Sequence, residues 1–428
     1  MADTGTVIHL PYRKGFVSTK IPKSVRVVVA EPNEVSQNSD ELELISNSID
    51  NPCGGYTLDD FFQQDADSGR KGKLLVIIND QTRPTPTKTV LDVLADRLDI
   101  ENTVFIIATG VHRSPTEEEY KVIFGTEHYN RFADKIAVHN ARNDDEMIYL
   151  GKSSTGTEIL INKLAVESDR ILVIGSVEPH YFAGYTGGRK GLLPGIASYR
   201  TIEQNHKHAL DNKAQSLSLV GNPVHEDMLD ALKFINKPIF AIMTVLNKDH
   251  GVYAATAGDI RESFDAAQKY ADDVFVVDLE DKADIVISVA RHPMDIDLYQ
   301  SQKAIDNGKL AMKDGGILIL LSSCRDGIGE KAYVDLLSSC ATPEKVLEKI
   351  QDNYKLGWHK AGKMAKVSIA GEIWGVTELP DDLMRSVFIK PCSDLQRTVD
   401  EAIKIKGDTA SIVILPDGCV TVPRILKY

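Results

Sequence analysis

Apolar residues along this chain follow two patterns, and the switching between them predicts its architecture. KLLVIIN (73–79), VFIIAT (104–109) and RILVIGS (170–176) are short unbroken runs, and similar ones occupy 238–246, 284–290, 315–322 and 410–415. They are rich in valine and isoleucine and do not alternate with polar residues, as expected of strands covered on both faces. Between the runs the period lengthens. Val90, Leu91, Leu94 and Leu98 share one side of a helix predicted over 86–98. A second helix, 116–124, opens with a Thr116/Glu119 capping box. A third, 343–354, has Thr342 as its N-cap and Pro343 in first position. Alternation of this kind predicts an α/β protein with mostly parallel sheets flanked by helices.

At 428 residues the chain exceeds one ordinary core, so two domains are expected, each with its own sheet. The helical pattern at 262–273 gives way to the polar stretch DLEDKAD, which places the division at 1–275 and 276–428. Composition adds exclusions. A net charge of −13 repels nucleic acid and anionic membrane, so neither is expected as a partner. No apolar run has the length of a membrane span, and MADTGTVIHLPYRK lacks a signal-peptide pattern. The 5 cysteines are scattered without a CxxC pair, which argues against a thiolate zinc knuckle or a disulfide framework. A cytoplasmic location is the expectation.

Open α/β sheets bind ligands beyond the carboxyl ends of their strands, so the residues following each run are where chemistry is expected. Asp80-Gln81-Thr82-Arg83-Pro84 follow the first, and Gly110-Val111-His112-Arg113 the second. Glu178-Pro179-His180 follow the third and lead into a glycine-rich stretch, Gly184 to Gly191, that contains Gly187, Gly188, Arg189 and Lys190. Arg291-His292-Pro293 follow the run at 284–290, ahead of Tyr299, Gln300 and Lys303. Each piece has an ordinary explanation. A lone histidine is more often packed or exposed than catalytic, Arg83 could pair with a surface carboxylate, and the glycines could be a turn. The set on one rim is more informative than any member.

The glycine-rich stretch could let a ligand approach the backbone, with free amides suited to a phosphate. It is not a Walker A loop, because Gly191 rather than serine or threonine follows Lys190, and no GxGxxG follows the first strand. A lysine in such a loop suits a covalent attachment point or a nucleophile. Thr201 and Gln204 have the spacing of a capping box for a helix over 201–211 carrying His206 and His208. A neutral imidazole at His206 suits zinc, copper, iron or nickel alike.

DQTRPTP, ATGVHR, HYFAGYTGGRKGLLPGIASYRTI with Asn205-His206, and LYQSQK, in this order and spacing, resemble the nickel-dependent lactate racemase family. DNP at 50–52, GNPVHEDM and the closing PDG extend the similarity over nearly the whole chain. The resemblance implies a pyridinium-3,5-bisthiocarboxylic acid mononucleotide that holds nickel as a pincer and is covalently attached to a lysine. By motif position that lysine is Lys190, and His206 is the protein's nickel ligand. Asp80, Gly187 and Gly188 are then expected on the cofactor side. The acid–base pair is implied to be His112 and His180. Substrate contacts are implied for Arg83, Lys303, Gln300, Tyr299 and, by a looser alignment, Trp358.

The implied reaction is racemisation or epimerisation of a small 2-hydroxy acid by hydride transfer, through a 2-keto acid. The implied partners are that substrate and the proteins that build the cofactor, and the oligomeric state is left open. Gly191 stands where a serine can follow the lysine, and Arg291-His292 where a smaller neutral pair occurs. These departures put the substrate, not the chemistry, in question. Arg291 either adds charge near the far end of a larger or dicarboxylic substrate or pairs with Asp295 or Asp297.

Two other readings compete. One is a metal-dependent lyase or hydrolase with His112, His180 and His206 as ligands, although no HExxH or comparable close pair exists. The other is a carboxylate- or cofactor-binding protein without turnover, which leaves both histidines unexplained. Because Tyr299, Gln300 and Lys303 follow the division and the other candidates precede it, the active site is expected in the interdomain cleft.

Overall fold

The unbroken apolar runs form the inner strands of two six-stranded sheets. The structure is a computed structural model that describes residues 5–35, 40–55, 57–63 and 72–426. Its two compact units are Glu34–Val274 and a discontinuous one made of Met1–Asn33 with Phe275–Tyr428.

In the Glu34–Val274 unit the strand order is Val252–Asp259, Ile239–Leu246, Arg170–Ser176, Leu74–Asn79, Thr103–Ala108, Ile136–Val138. All neighbours are parallel except the Ile239–Leu246 and Val252–Asp259 pair. Every residue of Arg170–Ser176 and of Ile239–Leu246 is buried, which is why neither alternates. The chain moves outward from Leu74–Asn79 in one direction, then returns to its other side with Arg170–Ser176. That reversal opens a crevice at the strands' carboxyl ends.

The other unit's sheet runs Ile389–Cys392, Gly371–Val376, Met312–Leu321, Ala283–Val289, Ser411–Leu415, Arg26–Val29, parallel throughout. Its last strand corrects the expected division of the chain. Residues up to Asn33 do not join the following residues, because Val27 pairs with Ile412 and Val29 with Ile414. Four residues carry no local sign of which sheet they complete.

The expected helices form, the first ending early at Leu94 and without a side-chain cap, the other two with the expected caps. Thr87–Leu94 buries Val90, Leu91 and Leu94. Glu117–Phe124 has both halves of the Thr116/Glu119 box, and Thr342 caps Pro343–Asp352. The helix carrying His206 departs from expectation: it spans Tyr199–Lys207 and is capped by Ser198, whose side chain accepts from the Thr201 amide. Thr201 and Gln204 lie inside it and serve the neighbouring strand instead. The Thr201 hydroxyl donates to the Glu158 carbonyl at 2.7 Å, and the Gln204 side chain accepts from the Glu158 amide at 2.8 Å. Among the described residues no helix is long and apolar enough to cross a membrane.

Candidate active site

Three adjacent strands, ending at Asn79, Ala108 and Ser176, emit their loops side by side. The first gives Asp80, only 3% exposed, whose carboxylate accepts from the Thr82 hydroxyl and meets His112 Nδ1 at 2.7 Å. Burial by itself would push the Asp80 carboxyl up, but the hydrogen bonds from His112 and Thr82 outweigh it and hold it below the usual range. His112 sits at the surface, its side chain 50% exposed. With Nδ1 committed to Asp80, Nε2 is the ring nitrogen presented outward. Asp80 was expected on the cofactor side; its observed partner is the histidine.

Arg83 donates from Nη1 to Glu178 at 2.9 Å. Glu178 is pinned through its backbone: its amide donates to the Thr186 hydroxyl at 2.9 Å, and its carbonyl accepts from the Thr186 amide at 2.8 Å. The sequence placed Glu178 on this rim but gave it no role; its position directly after a buried strand was the available signal. Two residues on, His180 Nδ1 accepts from the Ala183 amide at 3.3 Å, which leaves the proton of the neutral ring on Nε2. Phe182 was also missed. Its ring centroid is 4.6 Å from that of His180 and 5.0 Å from that of His206, and Lys190 Nζ lies 5.8 Å from it. One phenyl ring thus connects three candidates.

The glycines at 187 and 188 serve the packing of their loop. A Cβ on Gly187, at φ +82°, would fall 2.6 Å from Val177 Cγ2, and the Gly188 amide donates to Met243 Sδ at 3.2 Å. The bare backbone packs there against the protein's own sheet. Arg189 locks the same loop. It is fully buried, donates from Nε to His225 Nδ1 at 2.8 Å and from Nη2 to the Ala183 carbonyl at 3.0 Å, and stacks 4.1 Å over Phe264. Lys190 next to it is held well below the ordinary lysine range, first by burial and then by the charges of Arg83 and Arg189, with Glu178 opposing.

His206 lies in the last turn of its helix. Burial, reinforced by the charge of Lys190, pushes its imidazole down to about 3. The helix is anchored by Asn205, whose amide donates to Asp227 at 3.2 Å and to the Val224 carbonyl at 3.1 Å. Asp227, fully buried in the GNPVHEDM segment, also accepts from the hydroxyls of Ser153 and Thr157, each at 2.6 Å. Among the described residues no three His, Cys, Asp or Glu side chains gather in a way that could hold a metal ion. His112, His180 and His206 therefore do not form the three-histidine set that a hydrolase reading needs.

The remaining candidates belong to the other unit. Tyr299, Gln300 and Lys303 lie in the first two turns of Leu298–Ala311, a helix capped by Asp297. Trp358 opens the helix Trp358–Ala370, 5.4 Å beneath the Lys355 ammonium. Arg291 is exposed and 3.7 Å from Asp417, and His292 is 3.7 Å from Asp295. Arg291 is thus paired, but with Asp417 and not with Asp295 or Asp297.

Residues 12–218 match the lactate racemase N-terminal domain and residues 279–422 the lactate racemase C-terminal domain. A lactate racemase of Thermoanaerobacterium thermosaccharolyticum is 31% identical, over 97% of this chain and 99% of the relative. The chain belongs to the lactate racemase family. A lactate racemase of Lactiplantibacillus plantarum is 29% identical, over 96% of this chain and 98% of its own. The solved lactate racemase apoprotein from T. thermosaccharolyticum superposes with a TM-score of 0.87 at 30% identity, covering 98% of this chain and all (100%) of that one. A Thermotoga maritima protein at 17% identity and TM-score 0.64, covering 92% of this chain and 100% of its own, shares the fold. Membership in the lactate racemase family makes the chain an enzyme, a racemase of the isomerase class.

Proposed function

We propose that this enzyme interconverts the enantiomers of lactate or a closely related small 2-hydroxy acid by hydride transfer, using a nickel-pincer nucleotide attached to Lys190. The observation that carries the reading is the meeting, on one sheet rim, of an oriented histidine, an arginine and a buried lysine held well below the ordinary lysine range. The donor set suits the implied group. An uncharged amine is the form of lysine that makes covalent bonds, and a neutral imidazole is the form of histidine that binds nickel. Lys190 would hold the nucleotide, and His206 would bind the metal. When bound, the group supplies an electrophile able to take a hydride from the substrate's C2 and return it.

The chain's own residues do the rest. Arg83 holds the substrate carboxylate; Glu178 takes only its Nη1, so the other guanidinium edge suits a two-point clamp. His112 Nε2 accepts the hydroxyl proton of one enantiomer, and His180 serves the other, because the two present their hydroxyls to different sides. The keto acid stays anchored by its carboxylate while its carbonyl turns from one histidine to the other. Cofactor-biosynthesis proteins are required partners.

Asp80 acts through His112. Asp80→Asn should lower turnover roughly 10–100-fold, the scale of lost support to a functional histidine, without loss of cofactor. Normal kcat in this variant, with reduced cofactor content, would return Asp80 to the cofactor side.

The test of the substrate is a panel of single enantiomers of 2-hydroxy acids, followed by chiral chromatography, on protein made alongside the cofactor machinery. Racemisation of lactate is expected, unchanged in Arg291→Ala, because Arg291 is exposed and already faces Asp417. Activity on longer, dicarboxylic or polyhydroxy acids with none on lactate would overturn the substrate. No racemisation of any member would overturn the proposed reaction.

A further inference from the structure

Lys360, outside every motif considered above, is only 5% exposed. Its Nζ stands 3.5 Å from the centre of the Tyr299 ring and donates to the Tyr299 carbonyl at 2.5 Å. The contact is reciprocated one turn along: buried Gln302 donates from Nε2 to the Lys360 carbonyl at 2.8 Å. Two stitches therefore join the helix that carries Tyr299 and Lys303 to the helix that Trp358 opens. On its edge the Tyr299 ring meets fully buried Tyr333, with centroids 5.6 Å apart and planes at 82°. The ring is clamped on a face and an edge.

Such an arrangement is costly for a packing device. Burial pushes Lys360 down and Asp306 up, with Asp306 favouring the charged lysine and Lys303 opposing it. A methionine would fill similar space without a buried charge, and exchanges of that sort are often neutral or stabilising. What methionine would not provide is an Nζ held at once over the Tyr299 ring face and on the Tyr299 carbonyl, a two-point hold that resists ring movement.

We propose that Lys360 is a positioning residue that fixes the Tyr299 ring as a rigid wall of the substrate site. The inference rests on the reading of Tyr299 as a substrate contact. The test uses the full cofactor-loaded chain with carbon-13-labelled tyrosine, the Tyr299 ring signal being assigned with Tyr299→Phe. Lys360→Met should move or broaden that signal and raise KM for the 2-hydroxy acid by roughly tenfold, the scale of a desolvated cation–π contact, leaving kcat near wild type. Lys360→Arg, which keeps a cation able to stack on the ring, should restore both. If the methionine variant misfolds, Lys360→Gln removes the charge while keeping a donor, with the same outcomes expected. An unmoved Tyr299 signal overturns the proposal, and so does a moved signal with unchanged KM. Should wild type racemise no 2-hydroxy acid, the functional reading has failed, and the ring signal still decides whether Lys360 holds Tyr299.

Discussion

His112→Ala and His180→Ala should each lower racemisation roughly 10²-fold or more, the range of lost general acid–base catalysis. Both should keep the fold, the Lys190 adduct and the metal. His112 is half exposed and contributes little packing, so its removal leaves no core cavity. What it does leave is Asp80, a buried carboxylate that loses one of the hydrogen bonds holding its pKa down. A depressed carboxyl contributes stability above its unfolded value, about 4, and loses it as pH falls through the folded one. His112→Ala should therefore be less stable than wild type above about pH 5, with the difference shrinking as pH falls below about 4. The two histidines are separable because each enantiomer needs both, one to take a proton and one to give it. Either single variant should slow both directions equally, since an enzyme cannot shift the equilibrium between enantiomers. Near-normal turnover in one variant would remove that histidine from catalysis.

Seven inner strands of the two sheets were legible because their apolar runs are unbroken, and the Thr116 and Thr342 caps because capping is a local exchange of hydrogen bonds. Ser198 was missed because Thr201 and Gln204 imitate a capping box while bonding to Glu158. Arg26–Val29 could not be assigned to its sheet because its partner, Ser411–Leu415, lies at the other end of the chain. The same limit hid the supporting residues. Asp80 and Glu178 stand on the predicted rim, but nothing local says that they face His112 and Arg83. Asp227 and Lys360 lie within helices whose sequences look ordinary; burial alone marks them out. Residues that end a strand at the rim can be read from sequence, while residues that hold them in place depend on tertiary packing.

Lys190→Met should abolish racemisation, the largest effect expected of any single change, because it removes the point of attachment. Intact mass of the wild type, made with the biosynthetic machinery, should show an adduct on Lys190 and about one nickel per chain, as a single histidine ligand implies. The variant should lack the adduct. His206→Ala should keep the adduct and lose the nickel, which separates attachment from metal binding. An adduct on any other lysine would sink the assignment. The apoprotein offers a check that needs no cofactor. Lys190 is held well below its ordinary range in the fold, chiefly by burial, whereas in the unfolded chain it titrates near 10.4. Between those two values the unfolded state binds the extra proton, so folding becomes less favourable as pH falls below about 10. Methionine has no such proton. The Lys190→Met apoprotein should melt above wild type at pH 7, and the gap should narrow as pH rises toward 10. A lysine charged and solvated at neutral pH would give no gap, and the amine form on which attachment depends would then have to arise in another way.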